Sequence, residues 1–268
     1  MSEKCHSILP RRKGRLLAQV ASVSGELKHR QLIPEHYHPE DQLIFACRGV
    51  MTVRTRQGIW IVPPLRAVWI PAGTPHSVEM SGTVSMRTLY LLPGLARAVA
   101  RKCFVMNVSP LLKELIVHAC QLSTLSRAIP IQRALIELIV AQVKSANSVS
   151  LQLPHPEDAR AARIVRKLQS DPSENKTLYQ LCQASGASKR TIQRIFLTET
   201  KMSFARWRQQ LRLLHAMQLL ASGEKVSAAA LEAGYNSPSA FISMFRNQLG
   251  VTPMAYFRSG STPPTLSS

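Results

Sequence analysis

Acidic residues are scarce in this sequence. In 268 residues, 15 Asp and Glu stand against 34 Lys and Arg, giving a formal net charge of +19. Such a balance argues against a cationic partner and for a polyanion, without separating nucleic acid from an anionic membrane surface. Cysteine is sparse too: Cys5, Cys47, Cys103, Cys120 and Cys182 are odd in number, scattered, and form no Cys-x-x-Cys pair. That excludes a disulfide scaffold or a zinc framework and points to reduced thiols. Long apolar runs are missing, and Arg11-Arg12-Lys13 leads into no apolar core. A membrane span and a secretory signal are therefore not expected, and the protein is expected to be cytoplasmic. The positive surplus does not locate a site, because it is spread over 19 basic against 8 acidic residues up to Pro154 and 15 against 7 beyond it.

What the sequence does contain is one small device written twice. Residues 177–196 and 226–245 each read as a short helix, a glycine, a capping residue and a second helix. In the first copy Thr177 and Gln180 fit a capping box, Gly186 makes the turn, Ser188 caps the next helix, and Ile192 and Phe196 share its inward face. In the second copy Gly234 turns, Ser237 caps, Pro238 takes the first helical position, and Phe241 and Phe245 face inward. Its glycine stands three residues before the cap instead of two, so the turn is expected to be one residue longer. Between the copies, Ser203 to Ala221 reads as one helix ended by Gly223, with Phe204, Trp207, Leu211, Leu214 and Met217 in an apolar stripe. At 1.5 Å per residue it would span roughly 28 Å, close to the ~34 Å between successive turns of the major groove. From Lys176 to Arg212 eight basic residues stand against Glu199 alone, a stripe suited to phosphates.

With these residues in view, the segment from His155 to Arg258 resembles the DNA-binding domain of the AraC/XylS family of bacterial transcription regulators. The resemblance is carried by Ser188-Lys-Arg-Thr-Ile-Gln-Arg-Ile-Phe196, by Ala233-Gly-Tyr-Asn-Ser-Pro-Ser-Ala-Phe241, and by Phe245-Arg246 with Gly250-Val-Thr-Pro253 and Tyr256. It implies a helix-turn-helix at 177–198 and another at 226–248 within a DNA-binding domain at 156–258.

The region before it is strand-like. Leu43–Cys47, Val50–Thr55, Trp60–Val62, Ala67–Ile70 and Val84–Leu92 are β-branched or aromatic runs cut by Gly and Pro, as in an antiparallel barrel or sandwich. Within it, His36-Tyr-His38, Gln42 and Gly49, followed by Pro71-Ala-Gly-Thr-Pro-His76, stand at the spacing of the two cupin motifs. This resembles the cupin sensor module of many AraC-type regulators, expected at 16–95. The resemblance puts His36, His38 and His76 in metal-ligand positions, with Gln42 where metal-binding cupins carry a glutamate. A neutral amide is a weaker ligand than a carboxylate, although three imidazoles still suit zinc, nickel or iron. The competing reading has these histidines lining the barrel mouth, bonded to one another or to an effector. Gln42, Phe45, Trp60, Trp69 and Tyr90 are candidate effector-pocket residues, against the plainer reading of the aromatics as core.

After Pro93 the period becomes helical. Ser109-Pro110 opens a helix with Leu111, Leu112, Leu115, Ile116, Ala119 and Leu122 on one face; Pro130 opens a second with Ile131, Leu135, Leu138, Ile139 and Gln142. This hairpin, within 96–146, suits packing on the barrel or a dimer seam, and the family resemblance favours the seam. Residues 147–155 read as a polar, proline-bounded linker. A helix over Pro156–Ser170 is expected to turn Ala162, Val165 and Leu168 inward and Arg160, Arg163, Arg166 and Lys167 outward. Residues 1–15 read as a basic arm, either loose or touching effector, partner subunit or DNA, and 259–268 as a disordered tail.

The fold class expected is thus a two-domain α+β chain: a cupin-like barrel with a helical hairpin, then an all-α double helix-turn-helix. Family base contacts fall on Arg190, Gln193 and Arg194, whose chemistry suits guanine and adenine edges. In the second reading helix the same outward positions hold Ser239, Ile242 and Ser243, which offer less discrimination. Lys189, Arg208 and Arg246 are cast as phosphate contacts. The function implied is a sequence-specific transcription regulator, not an enzyme, controlled by a small-molecule effector. Its expected partners are duplex DNA, the effector and a second copy of the chain, with RNA polymerase a further candidate and no membrane. The alternative is a cupin metalloenzyme fused to a DNA-binding domain; the missing glutamate and the lack of a separate acid-base constellation count against it. An architectural DNA-binding protein is disfavoured because the first reading helix is rich in base-reading groups.

Overall fold

The computed structural model describes residues 18–258 apart from 97, 98, 100, 150 and 184, and before them only the backbone of 3–4, 11–12 and 15–16. The expectations for the basic arm, apart from those short pairs, and for the tail lie outside the described residues. The chain divides into two compact units. Among the described residues, one holds 18–55 with Trp60–Gln152; the other holds Arg56–Ile59 with 153–258.

The first unit is built on antiparallel strands: β1 (Val20–Leu27), β2 (Leu32–Tyr37), β3 (Asp41–Thr55), β4 (Gly58–Val62), β5 (Arg66–Ile70), β6 (His76–Leu91) and β7 (Phe104–Asn107). The long β6 is central, pairing with β1, β2 and β3, while β5 joins β3 to β7. Two of the apolar runs turn out to be one strand. Leu43–Cys47 and Val50–Thr55 are both parts of β3, joined through register shifts on either side of Arg48. Gly49 makes that join: a Cβ there would lie 2.5 Å from the carbonyl oxygen of Thr83, so the two strands close in only because it has none. β1 and β2 were invisible as apolar runs because much of each strand faces solvent.

Alternation along the strands sorts the core. Leu43, Phe45, Ala67, Trp69, Leu89 and Leu91 pack in one apolar cluster with Leu112, Ile116, Ala119, Ile136, Ile139 and Val140 of two helices, α1 (Pro110–Leu122) and α2 (Pro130–Ser145). Burying each of the larger side chains contributes about 1.5–3 kcal/mol. The intervening positions Gln42, Ile44, Val68, Ile70, Thr88 and Tyr90 are buried as well, as expected of a sheet curled on itself.

Ser109 caps α1, its hydroxyl accepting from the Leu112 amide at 3.1 Å. Only part of each expected apolar face is covered, however. Leu111, Leu122, Ile131 and Leu138 remain 50, 40, 76 and 48 % exposed. The segment 147–155 is also less free than a polar spacer, because Ser148–Val149 pairs with β7 and Leu151 and Leu153 are buried. The division between the two units nevertheless falls inside it, after Gln152.

The second unit is helical: α3 (Ala159–Ser170), α4 (Leu178–Gln183), α5 (Lys189–Ile195), α6 (Phe204–Ala221), α7 (Val226–Glu232), α8 (Pro238–Leu249) and α9 (Pro253–Arg258). α3 turns Ala161, Ile164, Val165 and Leu168 inward, leaving Ala162 only half-buried. Its N-terminus is capped twice: Asp158 accepts from the Arg160 amide, and the carboxylate of Glu199 accepts from the amides of Glu157 and Asp158 at 2.7 and 3.1 Å. α6 is the core of the unit. Beyond its expected stripe it also buries Gln210, Leu213 and Ala216, because helices pack on more than one of its sides.

Candidate functional site

The first helix-turn-helix assembles as its local chemistry dictates. The Thr177 amide donates to Gln180 Oε1 at 2.8 Å and the Gln180 amide to Thr177 Oγ1 at 3.3 Å, the two halves of a capping box. Ser188 caps α5 by accepting from the Thr191 amide at 3.2 Å. Ile192, Ile195 and Phe196 are buried, the last packed edge-to-face on Phe204 and Trp207. That leaves Lys189, Arg190, Gln193 and Arg194 exposed together on the outward side of α5, with Leu197 exposed in the turn that follows it. Arg190, Gln193 and Arg194 carry the planar hydrogen-bonding groups that can pair bidentately with base edges, and Leu197 keeps a large apolar side chain in water beside them.

The second copy has the same parts. Ser237 caps α8 by accepting from the Ala240 amide at 3.2 Å, Pro238 occupies its first turn, and Phe241 and Phe245 are fully buried and in edge-to-face contact. Ser239, Ser243 and Arg246 are exposed, and Ile242 is half-buried. The expected extra residue in this turn is absent at the level of the helices, since five residues separate α4 from α5 and five separate α7 from α8. Only the place of the glycine within the turn differs.

Of the three residues cast as phosphate contacts, Lys189 and Arg246 project into solvent, but Arg208 does not. Its guanidinium is half-buried and donates to the carbonyl oxygens of Lys176, at 2.7 Å, and Glu174. Arg208 therefore braces the loop before α4, which corrects its casting as a free clamp. A cation count along the sequence could not distinguish the two roles, because the acceptors lie more than thirty residues away.

In the first unit the structure brings His36, His38 and His76 together. Their ligand nitrogens lie within 4.8 Å of one another, and His36 and His76 are register partners across β2 and β6. Each ring turns Nδ1 to a backbone carbonyl at 2.8 Å: His36 to Pro34, His38 to Glu40, His76 to Thr74. With Nδ1 carrying the proton, each of the three Nε2 atoms presents a lone pair to a ligand, that of His38 beside the Gln42 amide. His76 Nε2 is buried without a hydrogen-bond partner. Burial also holds the His76 pKa down to about 4 and lowers that of His38, so both stay neutral at pH 7. These features fit a divalent ion held by three imidazoles.

Gln42 sits beside them, its Oε1 3.1 Å from His38 Nε2 and its Nε2 donating to Thr88 Oγ1 at 3.1 Å. A neutral His38 cannot donate to both Glu40 O and Gln42 Oε1. Either the amide turns over, donating to Nε2 and accepting from Thr88, or a cation lies between the two acceptors. Of the other candidate pocket residues, Tyr90 meets the cluster, its ring edge-to-face on His38 with centroids 5.0 Å apart. Phe45 and Trp69 do not: both face α1 and α2 from the opposite side of the sheet. They cannot line the same cavity as Gln42, which corrects the expectation, while Trp60 is wholly buried.

The comparisons with known proteins bear on the two domains rather than on these side chains. Residues 24–155 match the model of the AraC-like ligand binding domain, and residues 181–259 that of a helix-turn-helix domain. The HTH-type transcriptional regulator NimR of Escherichia coli (strain K12) is 35 % identical over 223 residues, covering 83 % of this chain and 81 % of that one. The chain belongs to the AraC family of transcriptional regulators. As an AraC-family member it pairs a ligand-binding domain with a DNA-binding double helix-turn-helix. The thermoregulatory protein LcrF of Yersinia pestis is 24 % identical over 221 residues, covering 80 % of this chain and 79 % of that one. A crystal structure of unsaturated fatty acid-bound ToxT from Vibrio cholerae covers 91 % of this chain and 98 % of its own, at 14 % identity and a TM-score of 0.39. No helix among the described residues of this AraC-family chain is long and apolar enough to cross a membrane.

Proposed function

We propose that this regulator reads its operator chiefly through α5, with Arg190, Gln193 and Arg194 on base edges and Lys189 and Arg246 on phosphates. The observation that carries the reading is the sorting of α5: Ile192, Ile195 and Phe196 anchor it while the base-reading groups share its exposed side. α8 contributes less discrimination, because Ser239, Ile242 and Ser243 offer one apolar contact and two small hydroxyls. RNA polymerase is the further partner expected of a regulator, and the regulatory role makes a separate enzymatic activity superfluous. The compartment is the cytoplasm, where its DNA lies.

The ligand-binding domain senses its effector at the histidine cluster. His36, His38 and His76, with Gln42 at their side, would hold a zinc, nickel or iron ion, which supplies a Lewis-acid anchor for an effector oxygen or nitrogen. The exposed leucines and isoleucine of α1 and α2 supply the seam of a homodimer. Footprinting the full chain on its own upstream region, at stated salt, with and without chelator, tests these points together. Protection of two successive major-groove segments, altered by chelator, is expected; protection indifferent to sequence would sink the DNA reading.

A further inference from the structure

Two loops of the DNA-binding unit meet on one side chain of α6. The Nε–H of Arg212 donates to the carbonyl of Pro172 at 3.3 Å, and a terminal nitrogen donates to the carbonyl of Glu174 at 3.2 Å and to Asn175 Oδ1 at 2.7 Å. All three acceptors belong to the loop that leads from α3 into the first helix-turn-helix. The guanidinium and this loop both lie against the turn of the second: a Cβ on Gly234, whose φ is +85°, would stand 2.9 Å from Arg212 Cζ and Nε and from Ser173 Cα. Gly234 is thus required twice, for the left-handed backbone and for the room it leaves Arg212.

A helix-turn-helix packed on a rod through one line of apolar contacts keeps a rotational freedom about that line. A directional contact off the line removes it. Arg212 is such a contact for the first copy, because its fork hydrogen-bonds the loop before α4, and the turn before α8 packs against both the guanidinium and that loop. Two of its acceptors are backbone carbonyls and the third is a neutral side-chain amide, so the geometry is set chiefly by the loop backbone rather than by a mobile carboxylate.

We infer that Arg212 is a positioning residue that sets α5 and α8 relative to each other and so makes the regulator selective for the spacing of the two groove segments it reads. Inserting one base pair turns the second segment by about 34° and moves it by about 3.4 Å, at 10–10.5 base pairs per turn. A pinned pair of reading helices must lose contacts on such a duplex, whereas a pair free to rotate recovers them. The inference rests on the proposal that both helices enter the groove.

The test uses the full chain and a duplex that the wild type selects from a random library, with its two protected segments located by footprinting. Variants of that duplex carry one inserted or one deleted base pair between the segments, or one scrambled segment. The wild type is expected to lose about tenfold in affinity for each change in spacing, equivalent to ~1.4 kcal/mol. Arg212→Lys keeps the charge and loses the fork. It is expected to bind the parent duplex more weakly, to distinguish the spacings by less than about threefold, and to match the wild type on the half-scrambled duplex to within that same factor. Asn175→Ala, which removes an exposed acceptor and leaves the core alone, should shift the spacing ratio in the same direction. Two results would overturn the inference: unchanged spacing ratios in both variants, or a uniform loss on every duplex with a shallower salt slope, which marks a phosphate contact. A wild type that selects no duplex at all defeats the DNA-reading proposal instead, and is seen before any variant is made.

Discussion

At Gln42 one torsion decides what the histidine cluster can hold. With its oxygen toward His38 the amide completes a set of neutral donors around the three imidazoles; turned over, it satisfies His38 and closes the set. Titration of the full chain with zinc by calorimetry is expected to find one site. His76→Ala should weaken it about 10–100-fold or more, and Gln42→Glu, which adds an anionic oxygen, should tighten it. Wild-type protein that takes up no zinc would leave the cluster an effector-binding or structural one. The reading residues differ in kind rather than position. Arg190→Ala is expected to cost about 1–3 kcal/mol of specific binding and to relax selectivity at one base pair, with Ser243→Ala well below that. Equal losses in competition binding assays would remove the asymmetry between α5 and α8.

Among the elements, α6 carries the most. Its buried sides hold both helix-turn-helix copies, and His215 lies half-buried on it, facing Glu232 of α7 and Asp171 of the loop after α3. Burial lowers the His215 pKa below its ordinary 6.5, against the raising effects of Gln218, Glu232 and Asp171. A depressed histidine favours the neutral folded form, so its stabilising contribution is present above about pH 6.5 and is lost as pH falls from there through the folded value. Melting curves of the full chain between pH 7.5 and 5 should therefore show a fall in stability that His215→Gln reduces. Identical slopes for the two proteins would place the pH sensitivity elsewhere. On α1 and α2 the elements are half-used: Ile116 and Ile139 face the sheet, while Leu111 and Ile131 do not.

For the molecule as a whole, that unused apolar surface and the positive charge have different consequences. A regulator that reads a palindromic or repeated operator gains from pairing, and the four exposed large side chains on adjacent helices are the surface proposed for that seam. Leu138→Asp is expected to shift the full chain from dimer to monomer in sedimentation equilibrium and to weaken binding to a two-copy operator, leaving a single-copy duplex unaffected. A wild type that sediments as a monomer at micromolar concentration would refute the seam.

The helix-turn-helix copies could be read from sequence alone, because everything that makes them is local. Caps at Ser188 and Ser237, turns at Gly186 and Gly234, and the apolar pairs Ile192–Phe196 and Phe241–Phe245 lie within one or two helical turns of each other. The histidine positions were legible for a similar reason, since motif spacing puts His36 and His38 on the same side of one strand end. Parity could also have separated Phe45 from Gln42, three residues away on an unbroken stretch of strand. Trp69 against Tyr90 needed the register of two further strand pairs. Tertiary structure alone decided which carbonyls Arg208 and Arg212 would find, and which half of the α1–α2 surface the sheet would cover. Those choices depend on residues tens of positions apart meeting in space, and no local rule of spacing or propensity encodes that distance.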